Sequence, residues 1–107
     1  MVNINYSESA VLDLEQIGDY IAEQLKNPQA ALDTVKKIQD AIDRLSTFPM
    51  SGVSLSLAAK ADTDYHFLIC GNYLAFYRSR ESEVFVDRIL YGRRDCLAVL
   101  FGELPVE

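Results

Sequence analysis

The sequence predicts a two-layer α+β fold in the order β-α-α-β-β-β, with a helical hairpin packed on a small antiparallel sheet. Three observations predict it. Apolar residues recur at helical spacing through the first half of the chain. They alternate at strand spacing through the second half. Turn residues, Asn27-Pro28, Gly71-Asn72 and the polar run 79–82, fall between the periodic segments. At 107 residues the chain is expected to form a single domain over its whole length, 1–107.

Each element has its own signal. Val2-Asn3-Ile4-Asn5-Tyr6 alternates apolar and polar and reads as a short strand. Ser7 or Ser9 can cap the helix that follows, with Glu8 favourable at its N-terminus. Val11, Leu14, Ile17, Ile21 and Leu25 step by three or four, giving an amphipathic helix with Asp13, Glu15, Asp19 and Glu23 mostly off its apolar stripe. Asn27-Pro28 ends it and starts another, since Asn caps and Pro suits the first helical position. Ala31, Val35, Ile38, Ile42 and Leu45 form the seam of the second helix, which ends before Phe48-Pro49. Residues 49–63 read as loop. Strands are expected over 65–70, 73–78 and 83–91, and 97–101 is a short apolar segment near the end.

Composition limits the function classes. Half the residues are hydrophobic, which fits a globular chain. No apolar run approaches the roughly 18 residues of a membrane span, and no membrane partner is expected. The first residues lack a basic, greasy leader, so no secretory signal is expected. The two cysteines, Cys70 and Cys96, suit a reducing cytosol, and a cytoplasmic location is expected. Net charge is −6, which counts against a protein that coats nucleic acid. The acidity is uneven: residues 1–50 carry four basic and eight acidic residues, net −4. Apart from Arg44, every arginine lies within 78–94.

Folding the last three strands on paper places candidate chemistry. A turn at Gly71-Asn72 sets Cys70 opposite Tyr73, Leu68 opposite Ala75 and His66 opposite Tyr77. A turn over 79–82 then sets Tyr77 opposite Val84, Ala75 opposite Val86 and Tyr73 opposite Arg88. Phe67, Ile69, Leu74, Phe76, Phe85 and Ile89 are then expected to face the helices. His66, Cys70, Tyr73, Tyr77 and Arg88 are expected on the free face. There His66 can move protons, Arg88 can hold a phosphate, and Tyr73 and Tyr77 can stack on bases. The same residues also suit an ordinary solvated sheet face. Arg93-Arg94 reads either as a basic anchor or as a surface pair neutralised by Asp95 or Asp87. Cys70 and Cys96 read as small hydrophobes rather than nucleophiles. One histidine and no clustered ligands give no metal constellation, and no cofactor motif is present.

Two stretches, Gly71-Asn72-Tyr73-Leu74-Ala75-Phe76-Tyr77-Arg78 and Val86-Asp87-Arg88-Ile89-Leu90-Tyr91-Gly92-Arg93-Arg94-Asp95, resemble the RelE/ParE superfamily of type II toxins. Phe48-Pro49-Met50-Ser51-Gly52 resembles its helix-exit segment, so the resemblance covers essentially the whole chain. It implies a growth-inhibiting toxin neutralised by a cognate antitoxin. RelE-type members cut ribosome-bound mRNA without a metal, whereas ParE-type members act on DNA gyrase. On the RelE-type pattern Arg94 matches an arginine near the phosphate, and His66 stands at a lysine position. Leu68 stands at a second such position, Tyr73 where an arginine is usual, and Val99 or Leu100 at the C-terminal tyrosine. These departures count against ribonuclease activity, and the Tyr-Gly-Arg-Arg-Asp ending and the Tyr77-Arg78 strand resemble ParE-type sequences more closely. The expected activity is therefore a gyrase-directed toxin. The alternatives are a metal-independent endoribonuclease using His66, Arg88 and Arg94, or a non-toxic binding module. Tyr73, Tyr77 and Arg93 are the expected target-binding residues.

Overall fold

The computed structural model describes residues 2–56 and 63–92. Strand β1 (Asn3–Tyr6) is followed by helix α1 (Glu8–Asp19), a π-helical turn (Tyr20–Gln24), helix α2 (Pro28–Asp43) and a 3-10 turn (Arg44–Ser46). Strands β2 (Val53–Ser54), β3 (His66–Cys70), β4 (Tyr73–Arg80) and β5 (Glu83–Tyr91) complete the order. The sheet runs β1-β5-β4-β3-β2. The two-layer α+β architecture stands, but the sheet is mixed, because β1 joins β5 in parallel.

Local chemistry sets the boundaries. Ser7 Oγ accepts from Ala10 N at 3.0 Å and donates to the Asp87 carbonyl at 2.7 Å, so one hydroxyl both caps α1 and ties it to β5. Asn27 Oδ1 accepts from Ala30 N at 3.1 Å, with Pro28 in the first turn of α2. Gly71, at φ +64, makes the tight β3–β4 turn that most side chains resist.

The first hairpin has the expected register, with His66 opposite Tyr77, Leu68 opposite Ala75 and Cys70 opposite Tyr73. The second does not. The chain turns on Glu81 and Ser82 alone, pairing Arg80 with Glu83, so Tyr77 meets Val86 rather than Val84. A β-bulge then inserts Asp87, after which Phe76 meets Arg88, Ala75 meets Ile89 and Tyr73 meets Tyr91.

The expected face assignment holds for Ile89 and is reversed for Phe67, Leu74 and Phe76. The helices cover Ala75, Tyr77, Val84, Val86 and Ile89, with Leu68, Cys70 and Tyr73 packed alongside. Ala10, Leu14, Ile38, Ile42 and Leu45 are their partners across the layer. The short side chains of Ala75, Val84 and Val86 let the helices approach. Phe67, Leu74 and Phe76 instead form a second cluster on the other face, with Leu55, Tyr65 and Leu90. Tyr77 belongs to the core because its hydroxyl is satisfied there: it accepts from Gly52 N at 3.0 Å. That contact needs glycine, since a Cβ at Gly52 would stand 2.5 Å from the Tyr77 hydroxyl.

Candidate functional site

Beyond Val86 β5 has lost its parallel neighbour, because β1 ends at Tyr6 and the chain turns into α1. α1 therefore runs beside the remainder of β5. Asp13 stands at the seam and takes three hydrogen bonds. Arg88 Nε donates to Oδ2 at 2.8 Å, Arg88 Nη2 to Oδ1 at 2.9 Å, and Ile89 N to Oδ2 at 2.8 Å. The carboxylate thus satisfies a strand-edge N–H where β1 is missing and holds the guanidinium in a two-pronged grip. This hydrogen bonding raises the Arg88 pKa above its ordinary value, against the opposing effect of burial.

From this tie a groove of about 740 Å³ opens between α1, the π turn and the ends of β4 and β5. Ile17, Ile21 and Ile89 are among its apolar lining, and Tyr20, Tyr73 and Tyr91 stand around it. The Tyr73 and Tyr91 rings meet edge to face, with centroids 5.4 Å apart. Burial first, and then the phenols of Tyr91 and Tyr20, raise the Tyr73 pKa, so its hydroxyl stays a donor. Gly92 N donates to the Asn72 carbonyl at 2.8 Å and closes this end of the hairpin. Tyr20 opens the π turn, an extra-residue distortion that recurs beside functional sites.

The expected site residues separate. Tyr73 and Arg88 line this one groove. Tyr77 is 0% exposed beneath the helices, with no surface to offer a base. His66 lies on β3, its ring 5.7 Å from that of Tyr77 and its Nδ1 3.3 Å from the Asp64 carbonyl. The expected free face bearing His66, Tyr73, Tyr77 and Arg88 together is thus corrected, for the tight second turn, the bulge and the buried phenol. Arg93, Arg94 and Cys96 lie outside the described residues. Burial raises the Cys70 pKa, with Arg44 opposing, so the thiol keeps its proton.

Sequence reasoning missed Asp13, Tyr20 and Tyr91. Asp13 had a signal. It lies three residues after Ala10 and four before Ile17, on the apolar stripe, where a carboxylate needs a cation or N–H donors. A second polar cluster sits at the bulge. The Tyr65 hydroxyl donates to Asp87 Oδ2 at 2.6 Å, Arg78 Nε lies 3.1 Å from the same oxygen, and Arg78 covers the Tyr65 ring at 5.4 Å. Asp87 is thus neutralised by Arg78. Burial foremost, and then the bond to Asp87, pushes the Tyr65 pKa up to about 12. Among the described residues no three His, Cys, Asp or Glu side chains converge to hold a metal ion.

The family model described as "ParE toxin of type II toxin-antitoxin system, parDE" matches residues 4–96. Among solved structures, a chain of the chromosomal ParDE system from P. aeruginosa superposes with a TM-score of 0.72 at 21% identity, covering 87% of this chain and 98% of that one. YafQ from E. coli strain BL21(DE3) superposes with a TM-score of 0.52 at 16% identity, covering 95% of this chain and 100% of that one. These two likenesses concern the fold. No curated protein matches.

Proposed function

Because the chain belongs to the ParE toxin family of type II toxin–antitoxin systems, a setting that implies an antitoxin partner, we propose that it arrests growth by binding DNA gyrase and not by cutting RNA. One observation carries this reading. Arg88, an arginine that the sequence offered for a phosphate, commits two of its three guanidinium nitrogens, Nε and Nη2, to Asp13. An arginine held in that way acts as a tie between α1 and β5. What the groove offers instead is a binding surface of three tyrosines, which bring large, rigid contact area at little entropic cost. In this reading Tyr73 and Tyr91 are the anchors. Arg93 and Arg94, following Gly92 in the sequence, extend the surface with positive charge. A cognate antitoxin neutralises the toxin, and both act in the cytoplasm.

Purified protein is expected to abolish supercoiling by purified gyrase or to trap its cleavage complex. Tyr73→Ala and Tyr91→Ala should each weaken the effect by about 30-fold, the scale of a lost hot-spot contact. Full gyrase activity at saturating toxin would end the proposal. The ribonuclease reading rests on His66, whose pairing with β4 keeps an imidazole at the start of β3. It requires cleavage of translated mRNA with purified ribosomes, lowered about 100-fold or more by His66→Ala or Arg94→Ala.

A further inference from the structure

The tyrosine groove sets its own terms for an occupant. Its rim is open to water, with Tyr20 55% and Tyr91 70% exposed, while Ile21 and Ile89 beneath them are buried. Among the described residues its charged lining is Asp13 and Arg88, and these neutralise each other at 2.8 Å. The other polar groups of the lining are uncharged: the amides of Gln16 and Asn72, the Thr34 hydroxyl and the phenols. Tyr73 keeps its proton, because burial raises its pKa, and so offers a hydrogen-bond donor.

Charge and hydrogen bonding then select the occupant. An anionic segment would have to compete with Asp13 for Arg88, and a cationic one with Arg88 for Asp13, so the complementary occupant is uncharged. A helix bonds its own carbonyls and would leave the phenol donors against hydrocarbon. A strand added at the edge of β5 would find no partner at Ile89, whose N–H already donates to Asp13. An extended polyproline-type segment meets each requirement: its carbonyls have no internal donors, and its prolines pack on aromatic rings. The geometry points to an uncharged, proline-rich segment of the target, seated across Tyr20, Tyr73 and Tyr91 with its backbone carbonyls accepting from the phenols. The inference rests on the gyrase reading of this groove, and it names the chemistry of the segment that the groove takes.

The probe is an acetylated, amidated peptide of three Ala-Pro-Pro repeats, titrated into the full-length protein by calorimetry. Saturable binding is expected, changing less than about twofold between low and high salt because no charge pair forms. Tyr91→Ala, at an exposed position, should leave the thermal melt unchanged and weaken binding by about tenfold or more. Tyr73→Phe keeps the ring, removes the donor and should weaken binding by about fivefold. In the supercoiling assay, excess peptide should restore gyrase activity against the toxin. No saturation up to about 1 mM peptide, wild-type affinity in both variants, or tighter binding of an uncharged helical peptide rich in alanine and glutamine would overturn the inference. Peptide that binds without relieving gyrase would place the target elsewhere and also overturn it. In each of these cases gyrase still inhibited by the toxin leaves the gyrase reading standing. A toxin that binds the peptide at these tyrosines and leaves gyrase untouched would overturn the gyrase reading instead, and would uphold the preference of the groove for proline.

Discussion

Replacing Asp13 with alanine tests the tie between α1 and β5 directly. The substitution removes three hydrogen bonds of 2.8 to 2.9 Å. Ile89 is 2% exposed, so its N–H has no water to turn to, and stranding it costs about 1–3 kcal/mol. The Arg88 side chain is 31% exposed and can rehydrate. That exposure holds the loss of its charged contacts to about 1 kcal/mol, below the figure for a fully buried pair. The total is about 2–4 kcal/mol, a large share of the stability of a domain this size. Arg88→Ala is expected to cost about 2 kcal/mol, because it leaves the Asp13 carboxylate, 9% exposed, with only the Ile89 N–H. Urea denaturation of wild type, both single variants and the double variant gives the cycle. The double variant should fall short of additivity by about 1–2 kcal/mol. A cost below about 0.5 kcal/mol for Asp13→Ala, or strict additivity, would refute the reasoning and return Arg88 to the pool of groups free to meet a phosphate.

The remaining predictions concern the core and pH. Gly52→Ala should destabilise by about 1–3 kcal/mol, since the new methyl would meet the Tyr77 hydroxyl at 2.5 Å and the Phe67 carbonyl at 2.8 Å; an unshifted urea midpoint would refute this. Tyr77→Phe removes the acceptor of the Gly52 N–H and should cost about 1–2 kcal/mol in the same assay, with no cost contradicting a buried bond. Tyr6 and Tyr65 both have pKa values pushed up to about 12, chiefly by burial. A phenol that holds its proton more tightly when folded gives stability that is complete below its unfolded pKa of 10.0 and is lost as pH rises from there to about 12. The melting temperature should therefore fall across that window, and Tyr65→Phe should flatten the fall; parallel curves would count against the assignment.

The order of elements, apart from the two-residue β2 in a stretch expected to be loop, and the helix caps were legible because their signals are local. Asn27-Pro28 marks a helix start by backbone chemistry alone, and Gly71-Asn72 fixes the register of the first hairpin. The face of the sheet was not legible, because both faces are apolar. Alternation shows two sets, Phe67-Leu74-Phe76 and Ala75-Tyr77-Val86, without showing which set the helices take. Helices approach more closely over the smaller one. Tyr77 obscured this, since a phenol suggests water until its partner, Gly52, is found 25 residues away in the sequence. Of the groove, Tyr73 and Arg88 could be singled out by residue type. Tyr20 and Tyr91 could not, because a π turn and a bulge decide where they stand.

The inserted Asp87 makes β5 a strand of two phases. Val84 and Val86 point under the helices before it, and Ile89 does so after it. Loss of Asp87 itself would restore an unbroken alternation and leave Ile89 inward, at the cost of the ties that Asp87 makes to Tyr65 and Arg78; loss of any one residue on the paired stretch before it would leave the bulge with no residue to spare. At this one position length is more forgiving than identity: the ladder on either side already pairs as though the extra residue were absent.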